Sequence, residues 1–422
     1  MKTLALALAL LFLLGAGTCA AQGRTYLLVP MDESQTDHLR AYGLAFYALG
    51  QSFNVEWLLN YRGGAFLIPD SRLVEVQARL VGVAFERVDD GGKEEILQAM
   101  AQANMEDVLL EKAPKIAVYT PPDKRPWDDA VTLALTYAGI PYEKLWDRDV
   151  LDGKLSDYDW VHLHHEDFTG QFGKFYATFH TAPWYLQQVK DYTQAAHEAG
   201  FEKVWQHKHA VARAIREYVA EGGFLFAMCS ATDSIDVALA ADDADIVAPE
   251  IDGDGIDPLF AQKLDFNKTF AFRGFTVEPS AYVYEYGNID VSDYRNISRP
   301  ELENFTLFEF SAKIDTVPTM LTQCHVNEIK GFFGQTTSFA KPLVRDDVRI
   351  LGEMPGQNRV KYLHGHLGKG TWTFLGGHDP EDFSHAVGDP PTDLSLHKNS
   401  PGYRLILNNI LFPAARKKEL KT

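Results

Sequence analysis

The chain has 422 residues, 12% of them aromatic, and a formal net charge of −18. That length accommodates two domains, or one large domain with a generous core. A surface so acidic repels phosphate backbones and anionic lipid, so nucleic acid is not an expected partner.

Lys2 followed by the apolar run Leu4 to Leu14 and the small residues around Thr18-Cys19-Ala20-Ala21 reads as a secretion signal over 1–21. The expected location is therefore exported, in the periplasm. A lipid-anchored form would put Leu three residues before Cys19, where Ala16 stands, so the reading is a cleaved soluble form. No later stretch is apolar enough to span a membrane. Cleavage leaves Cys229 and Cys324, and a chain this large does not need them paired.

Residues 24–30 have a strand pattern and 38–49 helical spacing, followed by strands at 55–59 and 65–68 around the turn Asn60-Tyr61-Arg62-Gly63-Gly64. These belong to a small N-terminal α/β unit over 22–113. A second unit over 114–414 starts with the strand 115–119. The segment Pro126-Trp127-Asp128-Asp129 then opens a helix to Ala138, with acidic residues in its first turn as the helix dipole favours. Residues 157–165 read as a strand ending in Glu166-Asp167-Phe168-Thr169-Gly170, and 183–220 as mostly helical. The irregular, aromatic-rich stretch 252–340 reads as loops and β insertions. A strand at 370–375, a helix at 401–412 and a basic tail at 415–422 close the chain.

The centre of the second unit is Phe224 to Met228, a continuous apolar run of strand length after Gly222-Gly223. It suits a strand buried on both faces of a parallel sheet. Helix, strand, tight turn and helix predict an α/β fold with a doubly wound, flavodoxin-like parallel sheet, whose ligands bind beyond the strands' carboxyl ends. Cys229 tops that turn between Ala227 and Ala231, the small neighbours a nucleophile elbow needs. Its bland alternative is a packed core thiol.

A second cluster is His162, His164, His165, Glu166 and Asp167. Alternation puts His162 and His164 on one face and His165 on the other. The group can bind a divalent transition metal, supply a base for Cys229, or form a polar network that orders a loop. A third cluster is His364, His366, His378, Asp379, Glu381 and Asp382, expected on the same rim, with surface display the alternative for His364 and His366. Asp252-Gly253-Asp254-Gly255 resembles half a calcium loop but reads as a solvated turn.

The strand-Cys229-helix unit after Glu221-Gly222-Gly223, with Gly368-Lys369-Gly370-Thr371-Trp372-Thr373-Phe374-Leu375-Gly376-Gly377-His378-Asp379, resembles the class I glutamine-amidotransferase-like superfamily. Its C-terminal part is most similar to the trehalose-utilisation-protein-like branch. Leu59-Asn60-Tyr61-Arg62-Gly63-Gly64, His162-Leu163-His164-His165-Glu166-Asp167-Phe168-Thr169-Gly170 and Pro401-Gly402-Tyr403-Arg404-Leu405-Ile406-Leu407-Asn408-Asn409 resemble a bacterial family often labelled "asparagine synthetase B". Asparagine synthesis itself is not expected. The nearest string to an ATP-binding Ser-Gly-Gly-x-Asp-Ser loop is Ser230-Ala231-Thr232-Asp233-Ser234, which lacks both glycines, so no nucleotide is expected.

The resemblance implies an exported hydrolase acting on an amide or ester of a small molecule or glycan. Cys229 would be the nucleophile, His378 or His165 the base, and Glu166 or Asp379 the orienting carboxylate. His162, His164, Asp167, Ser230 and Asp233 would contact substrate. The alternative is a non-catalytic or metal-dependent protein of the same fold that binds a sugar or other small ligand through the histidine rim.

Overall fold

The computed structural model describes residues 23–121, 129–291, 303–384, 386 and 388–415. The expected secretion signal, nearly all of the basic tail, and Pro126-Trp127-Asp128 lie outside the described residues. Strands β1 (Thr25–Val29), β2 (Val55–Leu59), β3 (Ala65–Pro69), β4 (Glu86–Asp89) and β5 (Glu106–Leu110) form a five-stranded sheet in the order β4-β1-β3-β2-β5. Every pairing in it is antiparallel.

The remaining strands build a ten-stranded mixed sheet. They are β6 (Ile116–Tyr119), β7 (Glu143–Leu145), β8 (Trp160–Leu163), β9 (Phe224–Met228), β10 (Phe305–Leu307), β11 (Glu328–Ile329), β12 (Phe339–Ala340), β13 (Arg349–Met354), β14 (Arg359–Leu367) and β15 (Gly370–Leu375). The order is β11-β10-β13-β14-β15-β9-β8-β6-β7, with β12 beside β14. Its β15-β9-β8-β6-β7 portion is parallel throughout.

Alternate residues of the parallel strands enter two cores. Ile116, Val118, Trp160, Phe226 and Met228 pack with helices Ala130–Ala138 and Pro401–Leu411. Ala117, Val161, Leu163, Leu225 and Ala227 pack with helices Val204–Glu221 and Ala231–Ala240 on the other face. Helices therefore cover both faces, which is why Phe224 to Met228 reads as an unbroken apolar run. The first sheet joins the first of these cores through Leu27, Trp57 and Phe66. Helix His38–Gly50 crosses Ala130–Ala138 so closely that a Cβ on Gly43 would stand 1.9 Å from the carbonyl oxygen of Ala138.

The strand expected over 157–165 is shorter, Trp160–Leu163. The His164 carbonyl leaves the ladder to accept from Ala231 N at 3.0 Å, turning His164, His165 and Glu166 into the loop above the sheet. The helical stretch expected over 183–220 is two helices, Pro183–Glu198 and Val204–Glu221, parted near Gly200 with φ 88°. Among the described residues, no helix is long and apolar enough to cross a membrane.

Candidate functional site

β6, β8, β9 and β15 run in one direction, so their carboxyl ends share one edge of the sheet. Asp129 follows β6, His164 and His165 follow β8, Cys229 follows β9, and His378 follows β15. Strand order reverses between β6 and β8, and in open α/β sheets the carboxyl ends of such a strand pair are where ligands bind.

Three imidazoles meet there. His164 Nε2 contacts His378 Nδ1 directly. The His164 and His165 rings stand 4.6 Å apart and those of His165 and His378 5.1 Å apart. The ligating nitrogens of all three lie within 4.8 Å of one another. Zinc nitrogens at about 2.0–2.1 Å in tetrahedral array are about 3.3 Å apart, within reach of small ring rotations. His164 and His378 are buried, whereas His165 is half-buried.

Asp129 braces the group. It caps helix Ala130–Ala138, accepting from Val131 N at 2.7 Å and Thr132 N at 3.1 Å. The same oxygen lies 3.4 Å from His162 Nε2 and 3.6 Å from His164 Nδ1. Burial alone would raise its carboxyl, but His162 and His164 hold it well below the usual carboxylate range. His162 turns its other nitrogen to the carbonyl of Phe226 at 3.0 Å.

Cys229 sits at φ 52°, a strained left-handed conformation as an elbow requires. The backbone N–H groups of Gln335, Thr336 and Ser230 hydrogen-bond its sulfur, and no imidazole is among these partners. Burial outweighs the three donors and pushes the thiol up to about 11. It is therefore protonated at neutral pH. Alkylation of the folded protein is expected to stay slow through pH 9 and to rise only toward pH 11, with half-buried Cys324 labelling faster. Site-resolved mass spectrometry checks this, and Cys229 labelling already fast at pH 7 would contradict it. Cys229 and Cys324 are both free thiols.

The other expected site residues separate into those near the rim and those used elsewhere. Burial pushes the Glu166 carboxyl up to about 8; the Lys208 ammonium opposes this, and Asp147 and Asp167 add to it. Asp167 spends both oxygens on its own loop, accepting from Thr169 N at 2.7 Å and Gly173 N at 2.9 Å. Asp233 accepts from Thr336 Oγ1 at 2.8 Å, and burial, with Asp290, raises it well above its ordinary value. The Ser230 hydroxyl is buried beside Cys229 without a hydrogen-bond partner among the described residues.

Asp379 is engaged by its own loop. Its oxygens accept from Glu381 N at 2.9 Å and Thr392 Oγ1 at 2.7 Å, and Glu381 pairs with His397 at 3.0 Å. His364 and His366 are not on the rim, because β14 runs antiparallel to β15 and carries them away from its carboxyl end. His364 hydrogen-bonds the Trp372 carbonyl at 2.9 Å, and burial pushes its imidazole down to about 3. The Asp252 and Asp254 turn holds the ammonium of Lys203 at 3.4 and 2.7 Å, so a lysine stands where a cation would.

Sequence reasoning missed Asp129 as a site residue and read it as a helix-dipole charge. It also missed the cluster beneath Glu166, where buried Lys208 donates to Asp147 at 2.9 Å and to the Tyr119 hydroxyl at 3.0 Å. Lys208 Nζ lies 3.9 Å from the centre of the Trp146 ring.

No family model matches the chain, and no curated protein matches it. Solved structures are similar at low identity. Two Salmonella typhimurium proteins, titled Cytoplasmic Protein STM3548 and Cytoplasmic Protein STM1381, each align at 12% identity and a TM-score of 0.34, over 72% of this chain and 100% of theirs. The GH42 beta-galactosidase Gan42B aligns at 10% identity and a TM-score of 0.28, over 73% of this chain and 31% of its own.

Proposed function

We propose that this protein is a metal-dependent hydrolase that acts on an amide or ester of a small molecule or glycan. The observation that carries the reading is the convergence of His164, His165 and His378 at the carboxyl edge of the parallel sheet. Three protein ligands with a fourth position left to water are the usual donor set of a catalytic zinc, and three histidines are one of its forms. An ion so held supplies a Lewis acid and a water acidic enough to ionise near pH 7. His164, His165 and His378 would hold the ion, and the acidic water it would supply suits hydrolysis, in which hydroxyl is added to the carbonyl carbon and hydrogen to the departing nitrogen or oxygen. The acidic surface favours neutral or cationic substrates over polyanions.

The parallel strands, taken along the chain as first to fifth, lie in the order second, first, third, fourth, fifth. That order supports a doubly wound, flavodoxin-like sheet and, with Cys229 at an elbow, kinship with the amidotransferase-like superfamily. Export by the segment 1–21 is part of the same proposal.

The test is metal content, measured on protein purified without chelator, followed by hydrolysis of a panel of nitrophenyl esters and amides. About one zinc per chain is expected, with turnover lost on chelation and restored by zinc or cobalt. Protein that takes up no zinc at micromolar concentration, or turnover indifferent to chelation, would overturn the reading.

A second reading keeps Cys229 as nucleophile, favoured by its φ of 52° and the three N–H groups on its sulfur. Cys229→Ala separates the two. Full turnover in that variant is expected from the metal reading and abolished turnover from the thiol reading.

A further inference from the structure

Beyond the ligands themselves, the geometry points to Asp129 as the positioning residue of the metal centre, and we propose that it sets the tautomer and aim of His164. The inference rests on the metal reading above. Asp129 Oδ1 faces four groups: Val131 N at 2.7 Å, Thr132 N at 3.1 Å, His162 Nε2 at 3.4 Å and His164 Nδ1 at 3.6 Å. An oxygen already engaged by two helix-cap donors is poorly placed to ligate an ion as well. Its negative charge nevertheless stands beside both ring nitrogens, at the distance of an electrostatic contact.

A carboxylate at His164 Nδ1 favours the proton on that nitrogen, which leaves the Nε2 lone pair directed at His378 and the metal position. His162 turns Nδ1 to the Phe226 carbonyl at 3.0 Å, which aims its Nε2 at Asp129. The aspartate side chain is only 16% exposed, and the two imidazoles beside it are buried. Capping alone does not require a charge here: asparagine or serine caps a helix about as well as aspartate. What the charge adds is a fixed partner for two buried rings.

Asp129→Asn isolates that contribution, because it retains an oxygen for the cap and removes the negative charge. Zinc affinity, read by competition with a chromophoric chelator, is expected to fall roughly 10- to 100-fold, the usual consequence of losing such an outer partner. The melting temperature of the zinc-free protein should remain close to wild type. Nitrogen-15 NMR of His164 gives a readout that needs no metal: the Nδ1–H form should dominate in wild type and become mixed in the variant. Asp129→Ser, which also caps, serves where the asparagine variant folds poorly. Wild-type zinc affinity in a folded Asp129→Asn protein, or an unchanged His164 tautomer, overturns the role of Asp129 alone. A wild-type protein that binds no zinc overturns the metal reading and this role together.

Discussion

Protein carrying His378→Ala is expected to bind zinc several hundredfold more weakly than wild type. Structural zinc sites with four ligands bind with apparent free energies of about 10–16 kcal/mol, so each ligand accounts for about 2.5–4 kcal/mol. At 1.4 kcal/mol per decade, that corresponds to roughly two to three decades in Kd. His378 is held firmly in place, since its backbone N–H donates to the Phe333 carbonyl at 2.6 Å and its ring contacts His164 in a buried setting. Removing the ring leaves His164 and His165 and an additional position for water. His164→Ala should lose as much. His366→Ala is the control, since that imidazole is exposed and displaced from the carboxyl end of β15 by the antiparallel strand that carries it. Chelator competition on the folded variants decides the matter. An unchanged affinity in His378→Ala would remove the histidine trio as the metal site.

How far the sequence foretold this rim follows from which signals are local. The run Phe224 to Met228, bounded by Gly222-Gly223 and a small-residue turn, marks a strand buried on both sides, and β9 lies within the parallel sheet flanked by β8 and β15. Period-two alternation places His162 and His164 on one side, and both face Asp129. Alternation carries no information about strand direction, however. His364 and His378 look alike in composition, yet one sits on an antiparallel strand and the other in the loop after a parallel one.

Carboxylates are harder still. Asp379 follows His378 in the chain and reads as its natural partner, but its loop turns both oxygens to Glu381 and Thr392. The carboxylate beside the trio comes from a helix cap 35 residues before His164, a distance no local pattern spans. Cys229 shows the same limit in another form. Small neighbours signal the elbow, whereas the burial that keeps its thiol protonated, and the Gln335 and Thr336 N–H groups from the insertion that oppose it, appear only in the folded chain.

The second large effect lies beside the site, where Tyr119 ends β6 and Asp147 follows β7. Lys208→Met is expected to destabilise the protein by about 3–5 kcal/mol, the usual consequence of stripping one partner from a buried ion pair. Lys208 and Asp147 are each 1% exposed. With the ammonium gone, Asp147 keeps the Tyr119 hydroxyl and a neighbouring His207 at 3.7 Å, but no full positive charge. The ammonium stands 3.9 and 4.5 Å from the centres of the Trp146 and Tyr192 rings, and methionine's unbranched side chain replaces the lysine stem with an apolar one of similar length. The loss is therefore electrostatic rather than steric, and the double variant Lys208→Met/Asp147→Asn should recover most of it.

The same change reaches the rim through Glu166, whose raised carboxyl is held down in part by Lys208. Urea unfolding of the two single variants and the double variant measures the coupling. Additive losses, with no recovery in the double variant, would mean that the cage stabilises by packing alone. Recovery of stability would mean that the loss in Lys208→Met is the cost of leaving Asp147 buried and unpaired, so that the groups beside the loop carrying His164, His165 and Glu166 need matched partners rather than a charge.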